Sequence, residues 1–203
     1  MKLILASRSP RRSELLTMAG IPFQVIPAGF DEGALADRIQ REHPAMDKED
    51  LVQALARAKA YTVLASHPED LILAADTLVT LDGQVFGKPR DHDQARWMLR
   101  TLAGRTHEVD TGVALVWQEG QEIFSSKSQV TFRPLSLNLE ILIDRYVQSG
   151  LPMDKAGAYG IQELGGLLIE RIEGDFFSVM GLPVAEVYDR LQAYDFLRLA
   201  SRG

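Results

Sequence analysis

Two arginines stand where the sequence predicts the first turn of a helix. Ser9-Pro10 indicates the helix start, with serine as the N-cap and proline at the first helical position. Arg11 and Arg12 follow, although the helix dipole favours Asp or Glu there. Basic side chains at this position are explained if an anion, most simply a phosphate, binds at the helix N-terminus. The alternative is a solvated basic turn whose arginines pair with surface carboxylates.

A carboxylate follows an apolar run that is typical of a buried strand. The run Leu71 to Ala75 ends at Asp76-Thr77, so we expect Asp76 at the carboxyl end of that strand. Ligands of open α/β sheets bind at this edge, where a carboxylate can hold a divalent metal or orient a water. Asp31-Glu32, in an earlier loop, could supply another oxygen ligand. The alternatives are an aspartate that caps a turn and a pair of surface charges.

Three lysines are further candidates for binding an anion. Lys88 lies between a flexible and a rigid residue in Gly87-Lys88-Pro89, Lys59 falls on a predicted helix, and Lys155 precedes a glycine-rich stretch. Simple solvation is the alternative for each of them. The segment around Lys88 lacks the glycine pattern of a Walker loop, which excludes a P-loop NTPase.

The composition removes several other chemistries. The 203 residues include no cysteine, which excludes disulfides, thiolate metal sites and thiol nucleophiles. The histidines show no metal-ligand spacing, and Ser7 and Ser9 lack the context of a nucleophile elbow. Glycines between residues 157 and 166 do not fit the dinucleotide fingerprint and predict a loop that approaches a ligand closely. What remains suits metal-assisted chemistry on a phosphate ester or anhydride.

The charge balance and the apolar runs limit the partners. The chain carries 22 Lys and Arg against 28 Asp and Glu, a formal charge of −6. This disfavours a sequence-independent grip on long nucleic acid but allows a small polyphosphate. No run approaches the roughly 18 apolar residues of a membrane span, and no export signal is visible after Met1. We therefore expect a cytoplasmic protein without a membrane or long nucleic acid as partner.

Helices and strands alternate along the chain, which predicts an α/β or α+β fold. The expected strands cover residues 2–6, 21–25, 71–75, 109–117, 122–132 and 167–172. The expected helices are one from Pro10, two after the 27–33 loop of which the second follows Asp47, two over 91–102 and 136–148, and one from Pro183. Asp82-Gly83 signals a hairpin, which favours a mixed sheet over a parallel one. Without a linker or repeat, the pattern predicts one domain over residues 1–203, with two lobes around a cleft.

Five separated segments make the chain resemble the Maf family, in family order over nearly its whole length. They are Ala6 to Leu16, Ala75-Asp76-Thr77, Gly87-Lys88-Pro89, Gly104 to Val113 and Asp154 to Gln162. Maf proteins are nucleoside triphosphate pyrophosphatases, so the resemblance implies hydrolysis between the α- and β-phosphates with a divalent metal, Mg²⁺ or Mn²⁺. The implied fold is an elongated α/β structure with a mixed twisted sheet flanked by helices and a deep cleft. Family members often form homodimers.

The resemblance also implies a substrate class and residue roles. The segment Asp154 to Gln162 is similar to the branch acting on dTTP and UTP, and modified pyrimidine nucleotides are a further option. Asp76 matches the catalytic carboxylate, the proton acceptor for the attacking water, and Glu32 resembles a loop carboxylate that helps to hold the metal. Positions linked to substrate choice are matched by Arg12, Thr77 and Gln162. The triphosphate path would be lined by Ser7, Arg11, Lys59, Lys88 and Lys155.

One departure and one alternative accompany this resemblance. The branch usually has Gly-Glu-Pro where this chain has Gly150-Leu151-Pro152, which puts any contact made by that glutamate in question. The alternative function is a non-catalytic nucleotide-binding regulator of septum formation. The intact Asp76 and the cationic set favour the enzyme.

The Gln162 amide offers both a donor and an acceptor to the imide edge of uracil or thymine, which predicts a pyrimidine preference.

Overall fold

The computed structural model describes residues 1–29 and 32–193, without the side chain of Glu32. In this part of the chain the strands are β1 (Leu3–Leu5), β2 (Gln24–Val25), β3 (Leu71–Leu81), β4 (Gln84–Phe86), β5 (Thr106–Trp117), β6 (Gly120–Phe132) and β7 (Ile169–Glu173). The helices are α1 (Pro10–Met18), α2 (Glu32–Glu42), α3 (Lys48–Leu64), α4 (His92–Leu102), α5 (Leu137–Gln148), α6 (Glu163–Gly166), α7 (Phe176–Met180) and α8 (Val184–Ala193). The predicted α/β class is confirmed.

The described strands form a seven-stranded mixed sheet in the order β2-β1-β3-β5-β6-β7, with β4 paired to β3. β1 runs parallel to both β2 and β3, whereas the β3–β4 and β6–β7 pairs are antiparallel. Asp82 and Gly83, both with positive φ, connect β3 to β4 as the predicted hairpin. The mixed sheet predicted from the hairpin signals is therefore confirmed.

The chain forms two compact units. Unit 1 comprises Met1–Asp76, Thr111–Ser126 and Gly181–Gly203, and unit 2 comprises Thr77–Asp110 and Lys127–Met180. β3, β5 and β6 each contribute residues to both units, and the fourth change of unit, after Met180, falls between α7 and α8. The single domain over residues 1–203 remains a prediction.

Each unit contains a buried apolar cluster, and these two clusters differ in side-chain size. The cluster in unit 1 is rich in small side chains and includes Ala56 and Ala60 of α3 together with Ala74 and Ala114 of the sheet. The core of unit 2 is built from larger side chains, including the aromatic residues Phe86, Phe132, Tyr146 and Tyr159. Small side chains allow a helix to approach a sheet closely, whereas large ones fill a wider space.

The predicted strand end at Asp76 is wrong, because β3 continues for five more residues to Leu81. Leu71–Leu73 pair with β1, and Val79–Leu81 pair with β4. Asp76 lies between these two paired stretches, inside the strand. The strand continues because Leu78, Val79 and Leu81 are buried apolar residues, and because the Asp76 carboxylate has a cationic partner that compensates its burial.

Two further elements differ from the expectation. The strand predicted as apolar over 167–172 is β7, whose residues are exposed or half-buried. Helix α7 was not predicted, because its five residues are too few to show a helical pattern. In the structure, the Asp175 carboxylate caps it by accepting hydrogen bonds from the N–H groups of Phe177 and Ser178. Among the described residues, no helix is both long enough and apolar enough to cross a membrane.

Candidate active site

A buried ion pair in unit 1 joins two of the predicted site residues. The Lys59 Nζ lies 2.5 Å from Oδ1 of Asp76, and the Lys59 and Asp76 side chains are 2% and 12% exposed. Lys59 also donates a longer hydrogen bond, of 3.4 Å, to the carbonyl of Ala75. Burying an unpaired carboxylate or ammonium is costly, and the pairing offsets that cost. Lys59 is therefore the counterion of Asp76 in this structure.

The close approach of α3 to β5 explains how Lys59 reaches the sheet. A Cβ added to Gly112 would lie 2.4 Å from the carbonyl carbon of Val52, so only glycine fits at this point of β5. Val52, Ala56 and Ala60 are fully buried along the same helix. Since α3 lies this close to the sheet, the Lys59 stem is buried and its ammonium reaches Asp76.

Arg12 and Ser7 form a second contact network in unit 1. Arg12 is 9% exposed, and its Nε donates a hydrogen bond of 2.7 Å to the carbonyl of Gly181, near the start of α8. The Arg12 Nη1 donates to Ser7 Oγ at 3.2 Å, and the Ser9 N–H donates to the same oxygen at 3.1 Å. Both lone pairs of the Ser7 hydroxyl are thereby used, which leaves its O–H to donate to an acceptor such as a phosphate oxygen.

The first turn of α1 is basic and has no side-chain cap. Ser9 occupies the N-cap position and Pro10 the first helical position, but the Ser9 side chain makes no capping hydrogen bond. The first turn contains no acidic residue, and Arg11 is half-buried there. A first turn that is basic and lacks a side-chain cap is suited to an incoming anion.

Ser7 and Asp76 follow neighbouring parallel strands of the sheet. Ser7 comes two residues after the end of β1, and the Ala6 N–H donates to the carbonyl of Leu73 in β3. Asp76 comes three residues after Leu73, the last β3 residue paired with β1. Both side chains thus lie beyond the carboxyl end of the parallel pairing, where α/β sheets bind ligands.

In unit 2, a backbone contact joins two of the predicted motifs. The Gly157 N–H donates a hydrogen bond of 3.1 Å to the carbonyl of Gly87. A Cβ on Gly157, whose φ is +68°, would meet Val79 at 3.0 Å. The Gly87-Lys88-Pro89 segment is therefore held against the segment that contains Lys155.

The two lysines of these segments have different surroundings. Lys88 is exposed, and among the described residues its ammonium has no ion-pair partner. The Lys155 side chain is only 10% exposed, and its Nζ pairs with Asp154 at 2.7 Å and donates to the carbonyl of Leu151. Lys88 is thus available to an anionic ligand, whereas Lys155 would have to exchange its contact with Asp154.

Gln162 and Thr77 complete the predicted residues of unit 2. Gln162 immediately precedes α6, is half-buried, and within the described ranges its side-chain amide makes no hydrogen bond. Thr77 follows Asp76 in β3 and is also half-buried. The amide of Gln162 is consequently available to a ligand as both donor and acceptor.

A different buried polar pair lies in the core of unit 2. The His107 Nε2 is 2.7 Å from the Tyr159 hydroxyl, and both rings pack edge-on against Phe132. Burial lowers the pKa of His107 to about 4. Burial, together with the nearby Tyr146, raises the pKa of Tyr159. Both side chains are therefore neutral near pH 7, which suits a structural role.

The described part of the site offers few oxygen donors to the divalent metal that the resemblance implies. Asp76 is a hard oxygen donor, and its Oδ1 accepts the hydrogen bond from Lys59. Across residues 1–29 and 32–193, no group of three His, Asp or Glu side chains could hold a metal ion. The side chain predicted to help, that of Glu32, lies outside the described part, as does Asp31. Within the described residues, the site therefore offers one carboxylate, that of Asp76, as a hard oxygen ligand for a divalent cation.

Comparison with known proteins identifies the family. A family model described as Maf-like protein matches residues 2–194. The chain belongs to the Maf family. A relative named dTTP/UTP pyrophosphatase from Bacillus velezensis is 44% identical, over 96% of this chain and 97% of its own. The protein of that name from Thermosipho africanus is 46% identical, over 94% of this chain and 92% of its own. The one from Bacillus cytotoxicus is 44% identical, over 96% of each chain.

Sequence reasoning from the Maf motifs missed two contacts at these residues. It did not identify the Gly181 carbonyl that receives the Arg12 side chain. It also missed Tyr146, whose hydroxyl accepts a hydrogen bond from the N–H of Gly160. Gly181 is far from Arg12 in sequence, and Tyr146 looks like any apolar position of a helix. Only the fold brings these pairs together.

Proposed function

We propose that this chain hydrolyses dTTP and UTP to the nucleoside monophosphate and pyrophosphate. The observation that carries this function is the near-complete alignment with relatives named dTTP/UTP pyrophosphatase, at 41 to 46% identity. The buried Lys59–Asp76 pair supports it, because a desolvated carboxylate with a fixed counterion is typical of an active site and contributes little to stability.

In this proposal Asp76 holds the attacking water. Lys59 fixes Oδ1, so Oδ2 is the atom that accepts a hydrogen bond from the water. Aspartate carboxylates are weak bases near neutrality, and the main contribution is therefore orientation of the water. Lys59 acts through Asp76 and is a positioning residue in this role, where the family resemblance had placed it on the triphosphate path.

Cationic and hydroxyl donors bind the triphosphate in this proposal. In unit 1 these are the Ser7 O–H, the first turn of α1 and its residues Arg11 and Arg12. In unit 2 they are Lys88 and, after exchange of its contact with Asp154, Lys155. A bound Mg²⁺ or Mn²⁺ would neutralise charge on the phosphate oxygens, with Asp76 and Glu32 as the candidate ligands.

Base selection is assigned to Gln162, with Thr77 and Arg12 as further positions linked to substrate choice. The imide edge of uracil and thymine presents an N–H between two carbonyls. The amide of Gln162 has no hydrogen-bond partner among the described residues, and it can donate to a carbonyl and accept from the N–H. This proposal also includes the family's elongated, two-lobed shape with a deep cleft. It includes a single domain and a homodimer as well. Small-angle scattering of the purified chain tests the shape and the dimer.

Pyrophosphate release tests the function. Purified protein with Mg²⁺ is incubated with dTTP, UTP, CTP, ATP, GTP and base-modified pyrimidine triphosphates, and pyrophosphate and monophosphate are quantified. We expect turnover of dTTP and UTP above the other unmodified nucleotides, and its loss in EDTA. Equal turnover of UTP, ATP and GTP contradicts the base assignment. Tight binding of dTTP without turnover contradicts the enzyme and supports a nucleotide-binding regulator.

A further inference from the structure

The residues 160–166 form a loop that carries Gln162 and closes on itself. A Cβ added to Gly165 would lie 2.2 Å from the carbonyl oxygen of Gly160, and one on Gly166 would lie 2.4 Å from that of Ile161. The backbone of 160–161 is therefore in direct contact with that of 165–166. We call this contact the neck of the 160–166 loop.

One buried hydroxyl contacts both sides of the neck. The Tyr146 hydroxyl accepts a hydrogen bond of 3.1 Å from the Gly160 N–H. On the other side, a Cβ on Gly165 would lie 2.9 Å from the same oxygen. Tyr146 has no exposed surface and belongs to α5 and the aromatic core of unit 2. The neck is thus attached to a rigid element by one side-chain atom.

The orientation of Gln162 depends on this attachment. Among the residues that the structure describes, none hydrogen-bonds its amide, so its own contacts do not fix its direction. The next residue, Glu163, has a φ of +59°, an uncommon conformation for a residue with a side chain. Two contacts with the core of unit 2 hold the loop: the side chain of Leu164 packs against it, and the neck is bound to Tyr146.

We infer that Tyr146 is a positioning residue for base discrimination: its hydroxyl keeps the neck closed and so directs the Gln162 amide at the nucleobase. This inference rests on the proposed function. Without the hydroxyl, the Gly160 N–H loses its partner and the loop samples more conformations. A loosely held amide discriminates poorly between bases, because specificity depends on fixed donor and acceptor positions.

The Tyr146→Phe variant tests this inference, since it keeps the ring in the core and removes only the oxygen. The kcat and KM are measured by pyrophosphate release with UTP and with CTP, which lacks the imide N–H. We expect the KM for UTP to rise about tenfold and the UTP-over-CTP preference in kcat/KM to fall about tenfold, the value of about one hydrogen bond. The kcat for UTP should change less than about threefold. An unchanged preference overturns the inference.

Two further variants separate positioning from a general loss of stability. Tyr159→Phe is the matched control, because it removes a buried hydroxyl from the same core that contacts His107. We expect it to keep the UTP-over-CTP preference; an equal loss in both variants overturns the inference. In a Gln162→Ala background, Tyr146→Phe should cause no further loss of preference. Additive losses would mean that Tyr146 does not act through Gln162.

A variant of the loop itself covers the case in which Tyr146→Phe does not fold. Gly166→Ala forces the neck apart at Ile161 without changing α5, and the same loss of preference is expected. A folded Gly166→Ala enzyme with the wild-type preference overturns the inference. The wild-type enzyme separates this failure from that of the proposed function. If it releases no pyrophosphate from UTP or dTTP the function fails, whereas an active wild type with unaltered variants refutes only the role of Tyr146.

Discussion

Each unit of the molecule buries a hydrogen-bonded pair of titratable side chains. The pair in unit 1 is an ion pair, and the pair in unit 2 is neutral. In unit 1, Lys59 and Asp76 form an ion pair at 2.5 Å. In unit 2, His107 and Tyr159 are 2.7 Å apart, and burial without an opposite charge keeps both neutral. An isolated charge cannot be desolvated cheaply, so a buried charge needs its counterion. The comparison teaches that the first pair buries two groups of opposite charge together, whereas the second buries two neutral groups.

Asp76→Asn should cause the largest effect. Asparagine keeps the shape and can still accept a hydrogen bond from Lys59, but it lacks the charge that orients the water. We expect kcat for UTP to fall by on the order of 10² or more. Pyrophosphate release checks the rate, and circular dichroism checks the fold. Asp70→Asn is the matched control, since Asp70 is a half-buried carboxylate just before β3 that accepts a hydrogen bond from the Lys2 N–H. Near-normal turnover of folded Asp76→Asn would show that the Lys59–Asp76 pair has a structural role, as the His107–Tyr159 pair does.

Burial of the neutral pair should make the protein less stable in acid. Burial lowers the pKa of His107 to about 4, below its value of 6.5 in the unfolded chain. The unfolded state therefore binds more protons, and stability falls as the pH drops from about 6.5 to 4, by about 3 kcal/mol in full. Urea unfolding at pH 7.5 and pH 5 measures the loss, about 2 kcal/mol at pH 5. His107→Gln should flatten this dependence, and His43→Gln, at an exposed position, should not. Identical pH dependence in both variants would contradict a buried neutral histidine.

A matched pair of lysine variants separates positioning from phosphate binding. Lys59→Met removes the counterion of Asp76, and we expect kcat to fall about tenfold or more with a smaller change in KM. Lys88→Met removes an exposed ammonium, and we expect KM for UTP to rise about tenfold with a smaller change in kcat. Steady-state kinetics at fixed ionic strength measures both. The reverse pattern would place Lys59 on the phosphates and leave Lys88 as surface charge.

Leu151→Glu should have the smallest effect. It restores the residue usual in the family branch, but Lys155 contacts the backbone carbonyl of residue 151 and the Leu151 side chain packs against the core of unit 2. Since a carbonyl is present whatever the side chain, we expect kcat/KM for UTP to change less than about threefold. Leu151→Gln is the uncharged control. An increase of tenfold or more for the glutamate variant alone would show that this chain lacks a contact that matters to the reaction.

Local signals in the sequence predicted most of the elements. The helix expected after Asp47 is confirmed, and Asp47 caps it by accepting a hydrogen bond from the Asp50 N–H, a contact that depends only on a side chain and the backbone three residues later. The Asp82-Gly83 hairpin is confirmed for the same reason. The strand end at Asp76 was wrong because its decisive contact comes from Lys59, on a helix elsewhere in the chain.

The sequence by itself determined the residue types of the candidate site, the helix start at Pro10 and the family. These depend on neighbours in the chain or on whole motifs. Only the tertiary structure decided that Lys59 is the counterion of Asp76, that Arg12 binds the Gly181 carbonyl and that Tyr146 holds the neck of the 160–166 loop. Each of these joins residues at least 14 positions apart. Whether a charge is buried or paired depends on packing between distant elements, which no local pattern specifies.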